Sequence, residues 1–219
     1  MLRKALLPFL MLLASAFTAA AARAADYAVM APPQPTESNG KIEVVEFFWY
    51  GCPHCYHLGT SVNQWLKTIP PDVVFKRVPA YPSESWGQLA RVYYTIEAMG
   101  LLPKMHDQIF DAIHKDSVNL NNPKIRDQWL AQHGVDPAKY AEMEKSFTVA
   151  TNLARAKQMT QNYKVDSVPR LVVNGKYYTS GELAGSPERI FTVVDELIAK
   201  VRSETGKAAP AAPAAAKKK

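Results

Sequence analysis

The apolar positions of this chain change their period along its length, and the changes divide it. Ile42 to Trp49 is a nearly unbroken apolar run rich in β-branched and aromatic residues. Such a run predicts a strand covered on both faces, as in the middle of a parallel or mixed sheet. Leu58, Val62, Trp65, Leu66 and Ile69 then recur at helical spacing, and Pro70-Pro71 ends the segment. Val73 to Val78 returns to strand chemistry. Strand, helix and strand within about 40 residues predict a βαβ unit.

The next stretch is helical throughout. Trp86, Leu89, Tyr93 and Ile96 share one helical face, closed by Gly100, and Pro103 opens a segment containing Ile109 and Ile113. Asn122-Pro123 and Asp136-Pro137 read as N-caps followed by a first-turn proline, and His133-Gly134 as a helix end. Phe147 to Tyr163 predicts a further helix. Strand signal resumes at Leu171-Val172-Val173. Asn174-Gly175 before Lys176-Tyr177-Tyr178 predicts a hairpin with a type I′ turn. Ser186-Pro187 caps a last amphipathic helix carrying Ile190, Val194, Leu197, Ile198 and Val201. The expected architecture is α/β. A sheet-based domain over 41–83 and 164–203 is interrupted by an all-helical domain over 84–163.

The two ends read differently. Arg3 and Lys4, the apolar stretch Leu6 to Phe17, and Ala22-Arg23-Ala24 form a secretory signal peptide over 1–24, cleaved near Ala24. The apolar run is too short for the ~20 residues that span a bilayer. The mature chain is therefore expected in an exported compartment where disulfides persist. Residues 25–40 read as a proline-punctuated leader. Residues 204–219 read as a disordered Ala/Pro/Lys tail. The formal charge of +6 comes from these ends. Without Arg3, Lys4, Arg23, Lys207 and Lys217 to Lys219, 19 basic residues face 20 acidic ones. That balance carries no bulk signature of nucleic-acid binding.

The chemistry concentrates in Cys52-Pro53-His54-Cys55, which holds both cysteines of the chain. Closing a loop of ~4 residues yields only about 2 kcal/mol in the chain-entropy model, so a structural staple is a poor use of both sulfurs. A zinc site built on Cys52, Cys55 and His57 would need a fourth ligand from elsewhere. Redox exchange fits better. The motif follows a buried strand and opens a helix, so the first helical N–H groups favour a thiolate at Cys52, and His54 adds a donor and a charge. Cys55, one turn further in, is the expected resolving sulfur. Glu46 is a carboxylate inside a strand that reads as buried, which would raise its pKa.

Glu46-Phe47-Phe48, Cys52-Pro53-His54-Cys55-Tyr56, Val168-Pro169 and Val172-Val173-Asn174-Gly175-Lys176-Tyr177 resemble the DsbA family of thiol–disulfide oxidoreductases over about 40–203. The resemblance implies a thioredoxin fold with an inserted helical domain, acting in the periplasm as a dithiol oxidase without cofactor or metal. It implies a cis bond between Val168 and Pro169, with that loop against Cys52 and available to an extended substrate. From the sequence alone, Pro169 reads equally as a trans loop proline. The family also implies that Glu46 assists proton transfer at the inner cysteine, with Lys76 as its partner. Expected partners are exported proteins with free cysteines and a DsbB-like quinone-linked reoxidase in the inner membrane. No nucleic acid is expected, and the chain is expected to be a monomer. The rival readings are an isomerase or reductase of the same fold, or a peptide-binding chaperone module with an incidental disulfide.

Overall fold

A computed structural model describes residues 26–206. The expected signal peptide with its cleavage near Ala24, and the expected tail from residue 207 onward, lie outside the described residues.

The buried strand of the sequence reading is β2 (Ile42–Phe48), every residue of which is buried. Its alternation serves two cores at once. Ile42 and Val44 pack with helix α1 (Pro53–Trp65) and helix α7 (Ile190–Thr205) on one face. Val45 and Phe47 point into a second core on the other face. Strand β3 (Val73–Pro79) runs parallel to β2, with Glu46 beside Arg77 and Val45 beside Lys76. Strand β4 (Arg170–Val173) lies antiparallel on its other side, followed by β5 (Tyr177–Thr179). A covered central strand of this kind requires helices on both faces, which explains its lack of polar alternation.

The sheet order is β1-β5-β4-β2-β3. Strand β1 (Ala28–Val29) pairs antiparallel with β5 and was not signalled by the proline-punctuated leader. The hairpin turn explains its seat. Asn174 and Gly175 both have positive φ, 52° and 64°, and the Lys176 N–H donates to the Val173 carbonyl at 3.1 Å. The Gly175 carbonyl accepts from Gln34 N–H at 2.8 Å, and a Cβ at Gly175 would lie 2.0 Å from the Gln34 carbonyl oxygen. Glycine is thus required by its dihedral and by the leader passing over it.

Between β3 and β4 run five helices: α2 (Glu84–Ala98), α3 (Leu102–His114), α4 (Pro123–Gln132), α5 (Pro137–Glu144) and α6 (Phe147–Asn162). Asn122 and Asp136 cap α4 and α5 through their side chains, with proline next in each case. A 3₁₀ turn over Pro187–Arg189 precedes α7, so Ser186 does not cap that helix through its side chain. Helix α7 runs to Thr205, two residues into the stretch read as tail, and Gly206 ends it at φ 67°. Arg202 of α7 grips Asp72 with two hydrogen bonds of 2.8 Å, tying the helix to the start of β3. Among the described residues, no helix is long and apolar enough to cross a membrane.

Candidate active site

Strand β2 delivers the chain to the motif, and Cys52 is the N-cap of α1 with Pro53 in the first turn. A cap residue turns its side chain back onto the free N–H groups of the first turn. Here the atom in that position is sulfur: Cys52 Sγ accepts from the Cys55 N–H at 3.4 Å. The Cys52 N–H donates to the Trp49 carbonyl at 2.9 Å, which fixes the entry to the helix. Both cysteines are free thiols.

Their environments differ in the expected direction. Cys52 is 8% exposed and Cys55 1% exposed. The Cys55 thiol donating toward Cys52 holds the Cys52 pKa well below the usual thiol range, at about 6. Partial burial opposes this, and the backbone N–H groups of Cys55 and His54, with the His54 charge, add to the lowering. Burial pushes Cys55 far up, reinforced by the Cys52 sulfur, with a small addition from Glu46. One sulfur is therefore ionised near neutrality and the other protonated. Pro53 and His54 are exposed on the first turn of α1.

The Val168–Pro169 bond is cis, and Pro169 is buried. In its thiol form Cys52 Sγ donates to the Val168 carbonyl at 3.4 Å, across more than a hundred residues of sequence. The structure thus brings Cys52, Cys55, Pro53, His54, Val168 and Pro169 together.

Lys76 is a correction. It does not pair with Glu46; its Nζ lies 2.6 Å from Glu43. The strand period explains this. Lys76 lies beside Val45 in register, on the face that Glu43 shares, whereas Glu46 lies beside Arg77. Arg77 Nε donates to Glu46 at 3.1 Å. Burial raises the Glu46 pKa, and the Arg77 charge limits the rise. Glu43, 3% exposed, is a second buried carboxylate in β2 that the apolar run concealed. The signal for both was present: two carboxylates three residues apart in one strand, and adjacent Lys76-Arg77 in the next.

Two histidines of α3 also belong here. His106 is buried, 2.9 Å from the Tyr50 hydroxyl, and burial holds its pKa down at about 3. His114 Nε2 donates to the Tyr50 carbonyl at 2.8 Å and stacks on Tyr56. Both tie α3 to the residues just before Cys52. Trp49 stacks on Trp86 at 4.3 Å beside them. His133 caps its own helix end, bonded to the Trp129 carbonyl at 2.7 Å. Among the described residues, no group of three or more His, Cys, Asp and Glu is placed to hold a metal ion.

The comparisons agree with this geometry. The family model described as a DSBA-like thioredoxin domain matches residues 68–197. A thiol:disulfide interchange protein DsbA of Azotobacter vinelandii is 45% identical over 169 residues, covering 77% of this chain and 79% of that protein. That of Pseudomonas aeruginosa is 38% identical over 182 residues, covering 83% and 86%. The crystal structure of Pseudomonas aeruginosa DsbA superposes with a TM-score of 0.79, covering 84% of this chain and 95% of that one. The oxidoreductase DsbA from Xylella fastidiosa gives 0.75 at 31% identity, covering 81% and 96%. A thioredoxin-fold sheet, an inserted helical block, and these likenesses over most of the chain agree: the protein belongs to the DsbA family.

Proposed function

We propose that this thiol:disulfide oxidoreductase works as a dithiol oxidase of exported proteins, donating its Cys52–Cys55 disulfide to their cysteines. The observation that supports this most is the unequal pair: an N-capping Cys52 with a pKa of about 6 above a buried, protonated Cys55. A stabilised thiolate stabilises the reduced protein and makes the disulfide oxidising.

A substrate thiolate attacks Cys52 Sγ, a mixed disulfide forms there, and Cys55 leaves. The deeply raised pKa of Cys55 means that it takes a proton on leaving, and Glu46, buried behind it with Arg77, is the proposed proton source. A second substrate thiolate displaces Cys52. The substrate has lost two electrons, and the protein holds them as the Cys52 thiolate and the Cys55 thiol; the protons of the substrate thiols pass to solvent, from which Glu46 is reprotonated. Val168 and Pro169 form the wall on which an extended substrate lies beside the sulfur. His54 and Pro53 shape the first turn around it. The periplasm as location, cleavage near Ala24, a monomeric state and a DsbB-like quinone-linked reoxidase complete the proposal.

The test is a redox titration against glutathione, with trapping of a mixed disulfide in a Cys55→Ser variant. The expected result is a potential well above that of the glutathione pool, and a trapped substrate on Cys52. A potential as low as thioredoxin's would instead mark a reductase. Full activity in Cys52→Ala would mark a peptide-binding module.

A further inference from the structure

The loop joining α6 to β4, residues 163–169, carries Val168 to the active sulfur, yet its middle is open to solvent. Lys164, Asp166 and Ser167 are exposed, and Val165 and Val168 are only half-buried. A segment whose middle packs on the core only through Val165 and Val168 opens easily unless something else holds it. Its first residues are tied back to α6 by the Lys164 and Val165 N–H groups, which donate to the Gln161 and Thr160 carbonyls at 3.0 and 2.9 Å, and Lys164 Nζ reaches the Ala31 carbonyl at 3.2 Å; the rest is held by the residue immediately after the proline.

Arg170 is 5% exposed, inside the face of the sheet that packs against the helical block. Its Nη1 donates to the Lys164 carbonyl at 2.9 Å and reaches the Tyr163 carbonyl at 3.5 Å. Its Nη2 pairs with the Asp166 carboxylate. Its plane lies over the Tyr178 ring, with Cζ 4.5 Å from the centroid. The two carbonyls follow the last turn of α6, where helix ends leave acceptors unmatched and favour positive charge. A guanidinium supplies several donors in one rigid fork, so it brackets carbonyls and a carboxylate together. Its Nε, also buried, has no partner among the described residues, so the group is held for these contacts and not for complete solvation. Beyond it the chain goes directly into Pro169 and the Val168 carbonyl, 3.4 Å from Cys52 Sγ.

We propose that Arg170 is a positioning residue for thiol exchange: bracing the 163–168 loop from beneath, it fixes the Val168 backbone against Cys52 and so sets how a substrate chain is seated on the sulfur. This rests on the dithiol-oxidase reading above. A loosened loop would seat substrate less often without altering the sulfur chemistry once seated.

The experiment compares Arg170→Met, Arg170→Lys and Val172→Ala with the parent in multiple turnover. A dithiol peptide serves as substrate and oxidised glutathione as regenerating oxidant. Val172 is fully buried in the same strand and makes none of these loop contacts, so it controls for lost stability. Losing the bracket should raise KM about fivefold in R170M, with kcat kept within about twofold. R170K, with one donor for the Lys164 carbonyl, should lie between R170M and the parent. Hydrogen exchange at the Val165 and Val168 amides should quicken in R170M relative to Leu171 and Val172, and not in V172A. A folded R170M with the parent's KM and exchange overturns the proposal, as does the same kinetic profile in V172A. If R170M does not fold, Asp166→Asn decides: a raised KM supports the bracket, and an unchanged one overturns it. A parent that fails to oxidise the peptide refutes the oxidase reading, and loop exchange alone then judges the bracing.

Discussion

The capping role of Cys52 makes its ionisation a stability measurement. An unfolded thiol titrates at ~8.5, whereas folded Cys52 titrates at about 6. The folded pKa is depressed, so the contribution is present in full above the unfolded value and lost as pH falls through the folded one. For the reduced protein the linkage relation gives about 1.4 kcal/mol at pH 7 and about 0.1 at pH 5. Solvent reaches part of the sulfur, so screening makes these upper limits. Cys55, protonated in both states below its unfolded pKa, adds nothing in this range; above ~8.5 it opposes the gain. The useful window is therefore pH 5 to 8. The perturbation is Cys52→Ala, and the assay is urea unfolding of both proteins under reducing conditions at several pH values. Other titrating groups, the histidines included, are common to both. The stability difference should widen by about 1 kcal/mol between pH 5 and pH 7. Parallel pH profiles would falsify the claim that the helix start holds a thiolate.

Three further outcomes are expected. Glu46→Gln keeps an acceptor for Arg77 but removes the proton donor; it should slow reduction of the disulfide and flatten its pH dependence between pH 5 and 8, read by stopped-flow fluorescence. Unchanged kinetics would remove Glu46 from the mechanism. A Cβ at Gly51 would lie 2.4 Å from the Trp49 ring, which is pinned against Trp86, so Gly51→Ala should destabilise by about 1–3 kcal/mol and alter the near-UV circular dichroism. Gly175→Ala meets both a positive φ and the Gln34 carbonyl; it should cost at least about 1 kcal/mol and speed amide exchange at Met30 and Gln34, whose N–H groups bond to the turn. Unaltered exchange there would mean that the leader is held by other contacts.

What was legible in the sequence was whatever rests on local chemistry. The run Ile42 to Trp49, the Asn-Gly turn and the Asn-Pro and Asp-Pro caps each fix their element within a few residues, and each is found. Cys52 was legible because a cap and a first-turn proline are neighbours in the chain. Lys76 was misplaced because pairing across a parallel ladder depends on register, and a one-residue shift moves a side chain to the other face. Strand β1 escaped because its two residues are held by the hairpin they join, not by a pattern of their own. His106 escaped for a related reason: its partner Tyr50 lies 56 residues away, and its own helix gives no sign of the pocket. Arg170 carries no local signal of its contacts, because only the end of α6 folding back over β4 supplies its acceptors.

Stability and redox poise at this site are two readings of one free energy. In a cycle linking folded and unfolded, reduced and oxidised protein, whatever stabilises only the reduced fold raises the potential by the same amount. The thiolate exists only in the reduced form, because oxidation turns the capping anion into half of a neutral disulfide. For a two-electron couple, the upper limit of about 1.4 kcal/mol at pH 7 corresponds to about 30 mV. The pH dependence must match as well: both the stability difference and the thiolate's share of the potential fade together toward pH 5. Cys55 cannot supply this, since burial keeps it protonated at the same pH. The thiolate's share of the oxidising character therefore lies in one bond pattern, the sulfur of Cys52 standing where a capping oxygen would stand, and the short loop between the cysteines serves to hold it there.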